Sequence, residues 1–175
     1  LVTKAVESIL KSKGVEVEVI VMSSDKTFSH TRAKTIYMEG MPAPKRNKSL
    51  RFAKYDLIAF FDDDVEVEPT CVLEMVRVLN QEGIGMVFGK TLNMEHRNMF
   101  DEAGSFLTPT GFLWSRGDRT QDIGQFDKTE AILAGKSASC MIRRQSFVDI
   151  GAFDETFGIL GEETELAWRF WLNRY

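Results

Sequence analysis

Three consecutive aspartates, Asp62, Asp63 and Asp64, follow directly on an apolar run, Leu57–Phe61. Two adjacent glutamates, Glu162 and Glu163, open the last amphipathic stretch of the chain. Like charges on neighbouring residues repel, and packing gives no reason to collect them, so a bound cation is a simple explanation of the first group. Oxygen-only ligands select a hard ion, Mg²⁺ or Mn²⁺, which binds through one or two carboxylates and the phosphates of a substrate. A calcium loop fits less well, because it alternates its acids and needs glycine at the sixth position, where Val67 stands. An aspartyl-phosphate phosphatase also fits less well, since the second acid is followed by VEVEP rather than by an early threonine. The bland alternatives are a solvated acidic loop ahead of Pro69, and glutamates that only complement a helix dipole.

The surrounding elements give these acids an address. Val2, Ala5, Val6, Ile9 and Leu10 recur at helical spacing up to Gly14, and VEVEVIVM (Val15–Met22) reads as a strand entering a core. TIYM is a short strand, Lys45–Ala53 a short helix, and Leu57–Phe61 a strand covered on both faces. Pro69 suits the first turn of a helix carrying Val72, Leu73, Val76 and Leu79, and IGMVFG is the next strand. This alternation predicts an α/β fold with a mainly parallel central sheet flanked by helices. Residues 90–130, broken by glycine and proline, read as loops and short antiparallel strands. SASCMIRR is a further strand, RQSFVDIG a short helix, and the last stretch a helix with Leu166, Ala167, Phe170 and Trp171 on one face. In such a sheet ligands bind at the carboxyl ends of strands, where Asp62–Asp64 stand.

The bulk properties set limits. A length of 175 residues with 43% hydrophobic and 27% charged residues suits one domain spanning the whole chain, 1–175. A net charge of −4 and a pI near 5.3 argue against a nucleic-acid partner. Cys71 and Cys140 lack metal-ligand spacing and fit a reducing compartment. No apolar stretch is long enough to span a bilayer. The expectation is a cytoplasmic domain, with peripheral attachment to the cytoplasmic face of a membrane left open. His30 and His96 read as surface residues.

Four segments carry a resemblance: KRNKSL ahead of the acidic strand, FFDDDV, GAFDETFG and GEETELAWR. In this order and at these separations the chain resembles a family 2 glycosyltransferase of the GT-A fold, the Rossmann-like nucleotide-diphospho-sugar transferase fold. The resemblance implies hexosyltransferase-like transfer of a sugar from a nucleotide-diphosphate-sugar donor to a hydroxyl of a saccharide or lipid-linked acceptor, inverting and metal-dependent. FFDDDV corresponds to the family's Asp-x-Asp site. Asp64, with Asp62, would bind Mg²⁺ or Mn²⁺, and Asp62 and Asp63 would face the donor. Arg46 and Asn47 match the family's Arg-Asn pair beside the nucleotide, with Lys45 as a phosphate contact. Gly135 falls where the family brings backbone close to the donor sugar, and Asp154 and Glu155 fall on its acceptor side. Glu163 holds the place of the family's catalytic base, with glutamate replacing aspartate, and Glu162 is its rival.

Two departures accompany the resemblance. The family's opening nucleotide-binding strand is absent, so the chain reads as truncated at its N-terminus. The aspartate that follows the second strand is replaced by Met22, Ser23 and Ser24, leaving Asp25 as the nucleobase contact. A nucleotidyltransferase-like enzyme, or a catalytically silent nucleotide-sugar-binding domain, are the alternatives.

Overall fold

The computed structural model describes residues 1–158 and 160–174. Its elements run α1 (Val2–Ile9), β1 (Ile20–Ser23), β2 (Lys34–Tyr37), α2 (Pro42–Ser49), β3 (Leu57–Phe61), α3 (Cys71–Leu79) and β4 (Met86–Phe88). After them come the short strands β5 (Thr91–Leu92), β6 (Phe100–Glu102), β7 (Ser105–Leu107) and β8 (Leu113–Ser115), then β9 (Ser139–Arg143), α4 (Arg144–Asp149) and α5 (Glu162–Leu172).

The centre is a three-stranded sheet in the order β3-β9-β4, in which β9 runs antiparallel to both neighbours. The expectation of a mainly parallel sheet is corrected here, because the parallel pair among the described strands is β1 with β2. The cause lies in the connection. A parallel neighbour needs a crossover that carries the chain back over the sheet. The excursion after β4 instead forms antiparallel pairs, β5 with β6 and β7 with β8, and returns through a bridge between Ser105 and Ala134. It stays at the end where β4 finished, so β9 must enter from that end.

β9 has both faces buried. Cys140 and Ile142 face a core shared with Ile58, Phe60, Phe147, Phe153, Leu166 and Phe170, while Met141 faces Val67, Val72, Met75 and Leu79. Phe60, Phe147 and Phe153 form a triangle with ring centroids 5.3–5.8 Å apart. Burying one such ring contributes about 1.5–3 kcal/mol. Arg144, at the start of α4, reaches back across this core edge to the carbonyls of Leu50 (2.9 Å), Ala53 (2.7 Å) and Tyr55 (2.8 Å). That staple fixes the turn between α2 and β3.

Smaller differences from the sequence reading have local causes. Of Val15–Met22 only Ile20–Met22 are laddered, extended to Ser23, because β2 is four residues long. α2 begins at Pro42 rather than Lys45, proline being pre-set for a first turn. α3 begins two residues after Pro69, with Thr70 at its N-cap. Trp171 is 49% exposed and leaves the buried face of α5 to Leu166, Ala167 and Phe170. The His30 side chain is 9% exposed and bonds Glu7 of α1 at 2.9 Å, so it is not a surface residue.

Candidate active site

β3 delivers Asp62 to the end of the sheet, and the chain turns there without further pairing, leaving Asp63 and Asp64 exposed. A cleft of about 890 Å³ opens beside it, walled by Asp62, Asp64, Gly89, Lys90, Lys136 and Ser139 among others. Asp63 is not part of that wall. Lys136 bonds Asp101 at 2.6 Å, and Lys90 bonds Asp122 at 2.9 Å and Asp127 at 2.5 Å. Sequence reasoning named neither lysine: Lys90 opens the weakly periodic stretch, and Lys136 follows Gly135 in a segment where only the glycine was singled out.

Arg46 joins this cleft to the far end of the chain. From α2 it donates through Nη2 to Asp62 Oδ1 (2.8 Å) and through Nη1 to Glu162 Oε1 (2.7 Å), with its side chain 12% exposed and its guanidinium 5.5 Å from the Phe153 ring centroid. One guanidinium thus ties the acidic end of β3 to the first turn of α5. Glu162 is 4% exposed, and its second oxygen, Oε2, is buried without a hydrogen-bond partner. The Glu163 carboxyl is pushed up to about 7, first by burial and then by the charge and hydrogen bond of Glu162, against the lowering hydrogen bond of its own backbone and a smaller pull from Arg46. Beneath these groups Cys140 is fully buried, and burial pushes its thiol up to about 12, so it stays neutral.

The remaining residues singled out from the sequence have partners inside the protein. Asn47 donates to the Phe153 carbonyl (2.9 Å) and to Glu155 (3.0 Å), and accepts from the Phe153 amide (3.0 Å). It pins the loop after α4 against α2. Asp154 accepts from the amide and hydroxyl of Thr156 (2.8 and 2.7 Å), a local turn that holds its carboxyl below the usual range. Asp25 does the same with the hydroxyl and amide of Thr27. Lys45 donates to Ser24, which brings α2 to the loop that carries Asp25. Gly135 is buried, and a Cβ there would sit 2.8 Å from both Cβ and Cγ of Phe88. Packing against β4 already demands glycine at that position.

Arg169 does more than pair with Glu165. It meets both oxygens of that carboxylate at 2.6 Å and also donates to the carbonyls of Ile150 and Ala152, each at 2.6 Å. It thereby anchors α5 to the end of α4. A second groove, of about 480 Å³, lies along α5 between Phe157, Trp168 and Leu172 on one side and Leu107 and Leu113 on the other.

Among the described residues, no three His, Cys, Asp or Glu side chains converge as a ready cation cage. Asp62 and Asp64 do line one cleft with oxygen donors only. That set fits a hard cation which takes one or two carboxylates and draws its other ligands from substrate phosphates and water.

Comparison with known proteins identifies the family and the fold. The family model described as "Glycosyltransferase like family 2" matches residues 9–173. The O-antigen biosynthesis protein RfbC of Myxococcus xanthus is 30% identical over 130 residues, which are 70% of this chain and 10% of that protein. The chain therefore spans about a tenth of the length of that curated relative. Among solved structures, a crystal structure of GalNAc-T7 with UDP, GalNAc and Mn²⁺ superposes with a TM-score of 0.70 at 15% identity, covering 97% of this chain and 38% of that one. The likeness shows the GT-A fold.

Proposed function

Because this chain belongs to the glycosyltransferase-like family 2, we propose that it is a glycosyltransferase, moving a sugar from a nucleoside-diphosphate donor to an acceptor hydroxyl by inverting displacement, with Glu163 as the base. The observation that carries this reading is the Arg46 bridge, which joins Asp62 of the cleft to the helix that bears Glu163. For Glu163 to serve as base, a donor whose diphosphate lies at Asp62 and Asp64 would have to turn its anomeric carbon toward α5. Asp62 and Asp64 would hold a divalent cation, which would neutralise charge on the departing diphosphate.

The chain's own residues do the rest. The acceptor oxygen forms the new bond to the anomeric carbon while the bond to the diphosphate oxygen breaks, its electron pair leaving with the diphosphate. The hydroxyl proton goes to Glu163. A carboxylate whose pKa is near 7 is a stronger base than an ordinary one and is still substantially ionised at neutral pH. Glu162 is occupied by Arg46 and is the weaker choice for this role. Cys140 gives the site a neutral floor that does not compete for the proton. The groove along α5 offers the acceptor an apolar wall that includes Trp168.

The test has two arms. Melting temperature is measured with a panel of nucleoside diphosphates with and without Mn²⁺, starting from UDP, the nucleotide in the GalNAc-T7 crystal. Specific binding to the folded state raises the melting temperature by mass action. Transfer is then compared between the parent and Glu163→Gln, with an expected loss of about 10²–10⁴-fold. Unchanged transfer in that variant refutes the assignment of the base.

A further inference from the structure

Glu162 carries a feature that the proposed reaction leaves unused. It is a nearly inaccessible carboxylate with one oxygen on Arg46 and the other buried without a partner. A half-satisfied carboxylate in that position is costly unless the missing partner is supplied by the group beside it. The group beside it is Glu163.

We propose that Glu162 is a positioning residue that acts through Glu163: held by Arg46, it keeps the neighbouring carboxyl oriented and strengthens it as the proton acceptor. This inference rests on Glu163 as base. The charges around that residue can be named element by element. Arg46 comes from α2 and Asp62 from the end of β3, Cys140 comes from β9, and Glu162 precedes it on α5. Cys140 is neutral, so Asp62, Glu162 and Glu163 depend on the single guanidinium of Arg46. Two of them hold it directly. Glu163 does not, and burial together with the neighbouring Glu162 raises its proton affinity.

The fixed geometry adds a second effect. Glu162 ties the N-terminus of α5 to α2 through a 2.7 Å ion pair. α5 opens at Gly161, in the left-handed region with φ 97° and with no side-chain cap. Without a capping side chain, the Arg46–Glu162 pair holds that first turn to α2, as Arg169 on Glu165 holds it to the end of α4. The pair thus fixes the residue immediately before Glu163.

The opposing influences of Glu162 and Arg46 make the inference testable by sign. Removing the Glu162 charge in Glu162→Gln lowers the proton affinity of Glu163. The acid limb of the pH profile of kcat/KM for acceptor therefore moves to lower pH, by about one pH unit. Removing the cation in Arg46→Gln moves the same limb to higher pH. Glu162→Asp keeps the charge and keeps the limb near the parent's position. A merely structural role lowers the rate in these variants without moving the limb in opposite directions.

The experiment uses the full-length protein and reads Glu163 twice. One reading is the pH profile of transfer. The other is the carboxyl-carbon NMR titration of Glu163 in protein labelled with ¹³C-glutamate, assigned through Glu163→Gln, which needs no turnover. Opposite displacements in Glu162→Gln and Arg46→Gln support the proposal. A Glu163 titration that stays at the parental pH in Glu162→Gln overturns it. Should Glu162→Gln fail to fold, an unmoved titration in Arg46→Gln overturns it equally. Parental transfer in Glu163→Gln overturns the base assignment alone, because the titration still reports whether Glu162 governs its neighbour.

Discussion

Gly135→Ala separates two reasons for one glycine. The resemblance assigns Gly135 to close approach of the donor sugar, whereas the structure gives it a steric reason of its own. The added methyl would lie 2.8 Å from Cβ, 2.8 Å from Cγ and 2.9 Å from Cδ1 of Phe88. Ordinary contact begins near 3.4 Å, so the two segments must part by roughly half an ångström or more. Phe88 cannot swing aside, because the clash is at the root of its side chain. Its backbone is also pinned, Phe88 pairing with Cys140 and the Gly89 amide donating to the Ser139 carbonyl at 2.9 Å. Overpacking of this kind costs about 1–3 kcal/mol. For a chain of this size that lowers the melting temperature by about 2–12 °C. Thermal and urea unfolding of Gly135→Ala, Phe88→Ala and the double variant measure the effect, with a favourable coupling of about 0.5–3 kcal/mol expected in the double variant. A Gly135→Ala protein that melts with the parent yet has lost nucleotide binding refutes the packing argument and returns the glycine to the donor.

Asp64→Asn removes a charge from the cleft wall, so Mn²⁺-dependent nucleoside-diphosphate binding should fall sharply by calorimetry while the melting temperature without ligand holds or rises. Arg144→Ala strips charge-assisted bonds from the carbonyls of Leu50, Ala53 and Tyr55, and urea unfolding should show a loss of at least about 1.5–3 kcal/mol. Glu163 has its folded pKa raised to about 7, so its contribution to stability is present below the ordinary glutamate range and is lost as pH rises through 7. Glu163→Gln should therefore gain stability over the parent above pH 7 and lose that advantage near pH 5. A melting-temperature difference that does not change with pH contradicts the shift.

The parts of the fold set by local pattern were legible. Leu57–Phe61 announces a strand covered on both faces, and β3 has Ile58 and Phe60 in one core and Leu57, Ala59 and Phe61 against the other. The spacing of Leu166, Ala167 and Phe170 places Glu162 and Glu163 in the first turn of a helix. The direction of β9 was not legible, because a strand has the same alternation in either direction and the connection decides which is used. Arg46 was singled out in the sequence, but nothing in KRNK indicates that its second partner lies 116 residues away. Asn47 shows the same limit, since its bonds to Phe153 and Glu155 depend on how two distant loops pack. His30 looked solvated because its neighbours in sequence are polar. Its neighbour in space is Glu7.

The antiparallel seating of β9 also sets the order in which a growing chain can complete itself. β3 leaves the ribosome long before β9, with Phe61 waiting for Ser139 and Leu57 for Arg143. At roughly 5–20 residues per second, the wait is about 4–16 s. Through that interval Ile58 and Phe60 lack the Cys140 and Ile142 side chains that later share their core, and one edge of β3 stands open to any extended partner. The Arg46–Glu162 bond closes later still, after almost the whole domain has been synthesised. The bridge between the two acidic ends is thus a late event in the synthesis of this stretch, made only once α5 has emerged.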